Sequence, residues 1–188
     1  TAATTAGHEL LERMRAKRGY LLSYHKLLGA SDPPLLAAYD ALYTRLTLDA
    51  RVLTMKEREI VWIALIAATR EKYASFHFDR AVKAGMSKGA IADSVAIAAA
   101  CEAFDAMHAS QRAFDRWLGE KQAMRRYLEM FEAARGKLPK AIAEVAAVVC
   151  HASRRDAAGM RVHLARAFAA GASRDQMAEG LSYVLLHR

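Results

Sequence analysis

Apolar residues recur at intervals of three and four along almost the whole chain, and no segment alternates apolar and polar residues as a strand does. The pattern predicts a series of helices separated by short turns. The clearest break is GASDPP at residues 29–34, where Pro34 can start the next helix. Thr54, Ser87 and Ser173 stand where later helices need an N-cap residue.

One phrase of sequence occurs twice. HFDRAVKAGMS starts at His77 and HLARAFAAGAS starts at His163, and the same offset of 86 residues pairs Gly85 with Gly171. Seven of the 19 positions from 77 to 95 are identical at this offset. Duplication explains this identity better than an Ala-rich composition does, and both glycines suit the left-handed residue that follows a helix.

The helices in the second half of the chain follow the same order as those in the first half. We therefore predict an all-α protein with a single domain, residues 1–188, in which two tandem helical repeats share one core, since one repeat alone cannot bury its apolar faces. Repeat 1 covers residues 34–118, repeat 2 covers residues 122–188, and a helical extension at residues 7–29 precedes them.

Composition narrows the class of protein. Hydrophobic residues make up 54% of the 188, which excludes a disordered chain, and the length is typical of one domain. No apolar run is long enough for a membrane span, and residues 1–20 lack a signal-peptide pattern. The two cysteines form no disulfide framework. These features predict a cytoplasmic protein.

The formal net charge is +8, but the basic residues are spread along the chain without interleaved aromatic residues. Such a surface favours solvation or the steering of an anionic substrate. A DNA-binding regulator is an alternative, because residues 81–99 can form a helix–turn–helix. The helix after Ser87 has few side chains that read base edges, so we expect no nucleic-acid partner.

A glutamate precedes each repeated histidine at nearly the same distance. Glu59 lies 18 residues before His77, and Glu144 lies 19 residues before His163. If the two helices form a hairpin, carboxylate and imidazole meet. A glutamate can hold an imidazole in one tautomer, or raise its pKa, for proton transfer near neutral pH. The structural alternative is a glutamate that opens a helix and a core histidine bonded to the backbone.

The pattern Glu, about 19 residues, His-x-x-x-Ala-x-x-Ala-Gly-x-Ser resembles the carboxymuconolactone decarboxylase and alkylhydroperoxidase D-like superfamily, over residues 34–188. The resemblance implies an all-helical fold. The two-repeat plan is similar to that of alkylhydroperoxidase D, which forms trimers. It therefore implies a homo-oligomer, with a trimer favoured and a hexamer as the alternative.

The peroxidase branch of this superfamily uses a Cys-x-x-Cys motif seven and four residues before the histidine. Those positions hold Arg70 and Tyr73 in the first repeat, and Asp156 and Gly159 in the second. Neither repeat can supply a thiolate there, so the sequence disfavours Cys-x-x-Cys-dependent peroxide reduction.

The decarboxylase branch needs no metal, thiol or other cofactor. The resemblance therefore implies a carbon–carbon lyase of aromatic catabolism, which acts on a small unsaturated carboxylate or lactone by His-mediated proton transfer. We assign His77 as proton donor, Glu59 as its orienter and Tyr73 as a hydrogen-bond donor. Arg70 and Glu71 are assigned to substrate binding.

The first repeat is preferred because bulky polar residues precede its histidine, and His163 and Glu144 are the second-repeat candidates. No metal is expected, since the spacing of His151, His163 and Glu144 matches no standard ligand set. His108 is assigned to a surface or an interface. A non-catalytic or thiol-independent family member is the remaining functional alternative.

Overall fold

The computed structural model describes residues 2–72 and 74–186. These residues form helices and connecting turns without a strand, which confirms the predicted all-α class. The α-helices, in chain order, are α1 (Ala2–Arg18), α2 (Ser23–Ser31), α3 (Pro33–Tyr43), α4 (Met55–Thr69), α5 (Phe76–Lys83), α6 (Lys88–Ala113), α7 (Glu120–Arg135), α8 (Lys140–Ser153), α9 (Ala157–Ala169) and α10 (Arg174–Ser182). None of the described helices combines the length and the apolar character needed to cross a membrane.

The chain divides into two compact units, Thr1–Asp49 and Ala50–Arg188. The first unit contains α1, α2, α3 and a π-helical segment, Thr44–Leu48. Its small core brings Leu10 and Met14 of α1 against Leu36 of α3. Burial of these side chains stabilises the unit by removing apolar surface from water.

Local chemistry sets the helix ends in the first unit. Gly19 follows α1 with a φ of 83°, a left-handed conformation that suits glycine. Asp32 caps α3, because its carboxylate accepts a hydrogen bond from the Leu35 amide at 3.0 Å. Helix α3 therefore begins at Pro33, one residue before the expected Pro34.

The core of the second unit is built around α4 and α8, which pack against each other and are buried along most of their length. Helix α6 packs against α4, α7 and α8, and α9 packs against α8. Thr54 caps α4 and Ser173 caps α10, as the sequence predicts. Each N-cap also forms a capping box, Thr54 with Glu57 and Ser173 with Gln176. Ser87 caps α6.

The second unit repeats one order of elements. The series α4, α5, α6 and the series α8, α9, α10 each end their middle helix before a glycine of positive φ, Gly85 and Gly171. Two carboxylates that are 86 residues apart bind the loops before α4 and α8. Glu179 accepts from the Leu53 amide at 2.9 Å, and Asp93 accepts from the Lys137 amide at 3.4 Å. These features support the proposal of repeats at 34–118 and 122–188, which stays a prediction.

Candidate active site

Helices α8 and α9 form a hairpin that brings Glu144 and His163 together in the buried core. Oε2 of Glu144 lies 2.6 Å from Nδ1 of His163, and both side chains are fully buried. Because a carboxylate accepts hydrogen bonds, Nδ1 carries the proton and donates it. In a neutral imidazole Nε2 is then an acceptor, and the Tyr127 hydroxyl lies 2.5 Å from it.

Arg166 completes the surroundings of Glu144. Its Nε donates to Oε1 of Glu144 at 2.8 Å, and its Nη2 donates to Oε1 of Glu132 at 2.6 Å. Burial alone would lower the pKa of Arg166, but the two carboxylates raise it. Both oxygens of Glu144 are thus occupied by donors, which holds the carboxylate in one orientation behind His163.

Tyr127, on α7, joins this buried pair to a cavity. Burial raises the pKa of Tyr127 well above its ordinary value, and the neighbouring Cys101 and Glu144 raise it further. The phenol therefore stays protonated at neutral pH. The Tyr127 side chain also lines a cavity of about 230 Å³.

Most of the cavity wall is apolar, with a few polar side chains among the lining residues. The lining residues are Phe104, Met107, His108, Glu120, Ala123, Met124, Tyr127, Ala158, Arg161 and Val162. His108 stacks on Phe104 at 5.4 Å between ring centroids. The residue expected at a surface or interface thus lines this cavity. A concave apolar wall with a few polar groups is typical of small-molecule sites.

A second histidine lies beside His163. The His151 ring stacks on the His163 ring at 5.3 Å, and its Nδ1 lies 2.7 Å from Oδ2 of Asp156. Burial would raise the pKa of Asp156, but the Gly159 amide and His151 lower it. A side chain at position 159 would collide with the His151 ring. Glycine at this position therefore allows His151 to reach Asp156.

The first half of the second unit contains a similar pair. Oε2 of Glu59 lies 2.7 Å from Nδ1 of His77, and both residues are buried. The His77 ring stacks on Trp62 at 4.7 Å, and Trp62 stacks on Tyr183 at 4.4 Å. Burial lowers the pKa of His77, although Glu59 opposes this effect, so the imidazole is neutral at neutral pH.

The two pairs differ in the surroundings of the glutamate. Oε1 of Glu59 is buried and has no hydrogen-bond partner among the described residues, whereas Oε1 of Glu144 accepts from Arg166. Arg80 occupies the position that matches Arg166, but its guanidinium lies over the Phe76 ring at 4.9 Å. Sequence identity at this position therefore does not reproduce the ion pair.

The other residues predicted near His77 are more dispersed. Arg70 ends α4 with a φ of 56°, and its side chain is 81% exposed and pairs with Glu102 at 3.4 Å. The amide of Glu71 donates to the Ile66 carbonyl at 3.0 Å, and its side chain is half-buried. Tyr73 lies outside the described residues. The structure thus brings Glu59 and His77 together and leaves the Arg70 side chain in solvent.

Several contributors to the site were not predicted from sequence, namely Tyr127, His151, Asp156, Arg166 and Glu132. Arg166 carried one signal, because it is identical to Arg80 in the repeated phrase. Asp156 carried another, because it precedes α9 at an N-cap position and accepts from the Ala158 amide. Tyr127 comes from α7, 36 residues before His163, and nothing in the repeated phrase points to it.

Cys101 and Cys150 are free thiols in the core, and burial raises the pKa of Cys101 well above its ordinary value. They behave as small buried hydrophobes. Within residues 2–72 and 74–186, no three His, Cys, Asp or Glu side chains are grouped to hold a metal ion.

Helix α6 would be the recognition helix of the alternative DNA-binding protein. It is packed into the core of the second unit. Ile97, Cys101 and Phe104 of α6 are buried in its core. The exposed positions in the first turns of α6 are largely small or apolar, as at Ala92 and Val95. This surface offers few groups for reading base edges.

Comparison with known proteins gives one family match, over part of the chain. No curated protein and no solved structure matches the chain. Residues 33–116 match the carboxymuconolactone decarboxylase family, and this segment contains Glu59, His77 and the Gly85-x-Ser87 turn. The family match and the all-helical fold support the resemblance of the sequence to the carboxymuconolactone decarboxylase and alkylhydroperoxidase D-like superfamily.

Proposed function

We propose that the protein is a decarboxylase-like carbon–carbon lyase that acts on a small unsaturated carboxylate or lactone. The proposal places proton transfer in the second repeat, at Glu144 and His163, together with Tyr127. One observation carries it: the Tyr127 hydroxyl lies 2.5 Å from Nε2 of His163, and Tyr127 is one of the residues that line the cavity of about 230 Å³. A proton can therefore pass between a buried imidazole and a bound substrate through one phenol.

The reaction needs one proton for each carbon dioxide released. Cleavage of the bond to the carboxylate carbon leaves its electron pair on the substrate as a dienolate. The Tyr127 O–H gives its proton to the dienolate carbon, and the phenol oxygen takes a proton from Nε2 of protonated His163. Glu144, 2.6 Å from Nδ1, stabilises the imidazolium before transfer. Solvent then returns the proton to His163.

The cavity suits the proposed class of substrate. Its volume of about 230 Å³ accommodates a small organic acid rather than a nucleotide, and its apolar wall fits an unsaturated carbon skeleton. Arg161 and His108 are the cavity residues that can attract a carboxylate. The net charge of +8 favours the approach of an anion.

The first pair, Glu59 and His77, is the competing location for the same chemistry. The His77 ring packs against Trp62 and Phe76, at 4.7 and 4.6 Å between centroids. Oε1 of Glu59 has no hydrogen-bond partner among the described residues, whereas Oε1 of Glu144 accepts from Arg166. Contact with both aromatic rings, stacked on Trp62 and tilted against Phe76, favours a structural role for His77. The second pair has the relay residue and the adjacent cavity, so we place catalysis there.

The two locations are separated by matched variants, His163→Gln and His77→Gln. Wild-type protein is offered a panel of unsaturated carboxylates and lactones, and release of carbon dioxide and loss of diene absorbance are followed. We expect His163→Gln to lower kcat by about 10²–10⁴-fold and His77→Gln to lower it far less. Circular dichroism and the unfolding midpoint check that both variants are folded.

The reverse outcome, an inactive His77→Gln and an active His163→Gln, would place the chemistry in the first repeat. If the wild-type protein turns over no member of the panel, the decarboxylase proposal fails and the non-catalytic alternative is favoured.

A further inference from the structure

The first unit contains a buried guanidinium with incomplete hydrogen bonding. Arg18, the last residue of α1, has a fully buried side chain, and its Nη2 lies 2.5 Å from Oδ1 of Asp40. Its Cζ lies 3.8 Å from the centroid of the Tyr43 ring. Nε and Nη1 of Arg18 are buried and have no hydrogen-bond partner among the described residues. Buried charged donors are normally paired, so this arrangement calls for an acceptor.

His25 supplies another donor without an acceptor. The backbone amide of Leu22 donates to Nδ1 of His25 at 3.0 Å, which makes Nδ1 the acceptor nitrogen. The neutral ring therefore carries its proton on Nε2. That atom is also buried without a hydrogen-bond partner among the described residues. Burial and the nearby charge of Arg18 lower the pKa of His25 to about 4.

The two side chains pack on the same ring. The Tyr39 centroid lies 5.2 Å from Cζ of Arg18 and 5.5 Å from the centroid of the His25 ring. Asp40 accepts from Nη2 of Arg18 through Oδ1 and from Lys17 through Oδ2 at 2.6 Å, and it forms no hydrogen bond to Nε or Nη1 of Arg18. Two cations thus share one carboxylate. The cluster has a net charge of +1 with His25 neutral.

We propose that Arg18 and His25 form a binding site for a small oxyanion, a phosphate or a carboxylate. Oxygen atoms of such an anion would accept from Arg18 and from Nε2 of His25, and its charge would balance the cluster. Each buried donor that gains an acceptor no longer carries the desolvation cost of an unpaired polar group. This site lies in the first unit and is independent of the proposed decarboxylase reaction.

Tyr24 is the side chain through which the anion enters. Tyr24 is 43% exposed, and its ring contacts the His25 ring edge-on at 4.3 Å between centroids. Its hydroxyl lies 2.7 Å from that of Tyr39. Rotation of this exposed side chain breaks one surface hydrogen bond and uncovers the His25 ring. The other titratable or charged groups around the site are Lys17, Asp40 and Tyr43.

The test uses the wild-type protein and ¹⁵N NMR of the histidine side chains. The pH is varied in sodium chloride, in phosphate and in acetate at equal ionic strength. Binding of an anion to protonated His25 more tightly than to the neutral form raises its pKa. We expect a rise from about 4 by about one pH unit, which corresponds to a tenfold preference. The exposed His8 is the internal control and should not respond.

Phosphate and acetate identify which oxyanion binds, and a rise with either one supports the site. An unchanged pKa of His25 in both salts at tens of millimolar, relative to chloride, overturns the proposal.

A pair of matched variants tests the same site by calorimetry. Arg18→Lys keeps the positive charge near Asp40 but removes the guanidinium donors, and should weaken anion binding about tenfold or more. Arg15→Lys changes an exposed arginine of the same helix and should bind as the wild type does. Wild-type affinity in Arg18→Lys contradicts the proposal. If this variant does not fold, the wild-type NMR titration decides.

Discussion

The hydroxyl of Tyr127 and Nε2 of His163 lie 2.5 Å apart, although they belong to different helices, α7 and α9. This contact joins a fully buried imidazole and its carboxylate, Glu144, to the cavity that Tyr127 lines. It gives the second Glu–His pair a route to a bound molecule. The proposed chemistry depends on this relationship more than on either residue alone.

Replacement of Tyr127 by Phe tests the proton route directly. The change removes the hydroxyl and keeps the ring against Phe104. We expect kcat to fall by about 10²–10⁴-fold with KM nearly unchanged, because the phenol acts in proton transfer rather than in binding. Steady-state kinetics on the substrate found in the panel measure this.

Tyr183→Phe is the matched control for that variant. Tyr183 is also a buried tyrosine, and its hydroxyl donates to Glu179 at 2.7 Å. Folded Tyr183→Phe should keep its kcat. An equal loss of activity in the two variants would show that Tyr127 acts through stability alone.

The two glutamates should differ in their contribution to stability. Glu144→Gln leaves the donors of His163 and Arg166 facing a neutral amide, and we expect it to lower the free energy of unfolding by about 3 kcal/mol. In Glu59 only Oε2 is hydrogen-bonded. Glu59→Gln should therefore lower the free energy of unfolding by only about 1 kcal/mol. Urea unfolding at neutral pH compares them. Equal costs would contradict the inferred role of Arg166.

Protonation of His77 should make stability depend on pH. Burial holds its pKa in the folded protein below the ordinary value of 6.5, against the opposing effect of Glu59. Below that value the unfolded chain binds the proton more readily than the folded protein, so the free energy of unfolding falls as the pH drops from 7 towards 5. Urea unfolding across this range should show a smaller decrease in His77→Gln than in the wild type. The same decrease in both proteins would contradict the lowered pKa.

Glycine 159 should be required for the position of His151. In Gly159→Ala the new methyl group collides with the His151 ring and the Asp156 carboxylate. We expect the free energy of unfolding to fall by about 1–3 kcal/mol. Gly89→Ala is the matched control on α6, since its methyl group meets only Ser87 at 3.7 Å. The free energy of unfolding of Gly89→Ala should rise by up to about 1 kcal/mol, because alanine has a higher helix propensity than glycine. Thermal unfolding of both variants checks the difference.

The protein is predicted to form a homo-oligomer with a trimer favoured. Several large apolar side chains of the second unit are exposed, among them Val95, Met130 and Phe168. Light scattering at micromolar concentration should give three times the protomer mass of 20.7 kDa, with six times as the alternative. A mass of one protomer would contradict this prediction.

The sequence by itself determined the fold class, several helix caps and the two candidate Glu–His pairs. Helical periodicity and capping are local properties, so Thr54, Ser87 and Ser173 cap their helices as predicted. The repeated phrase also pointed to the glutamate of each hairpin. A helical hairpin brings the beginning of one helix near the end of the next, so a nearly equal spacing in the two repeats predicts the contact.

Only the tertiary structure decided what surrounds each pair. Helix α7 packs against α6, and it brings both Tyr127 and Phe131 to the His163 ring. No spacing in the sequence encodes that approach. Identical arginines had different partners: Arg166 pairs with Glu144, whereas Arg80 lies over Phe76. Burial and pairing depend on neighbours that are distant along the chain, and the balance of these contacts favours the second pair for chemistry.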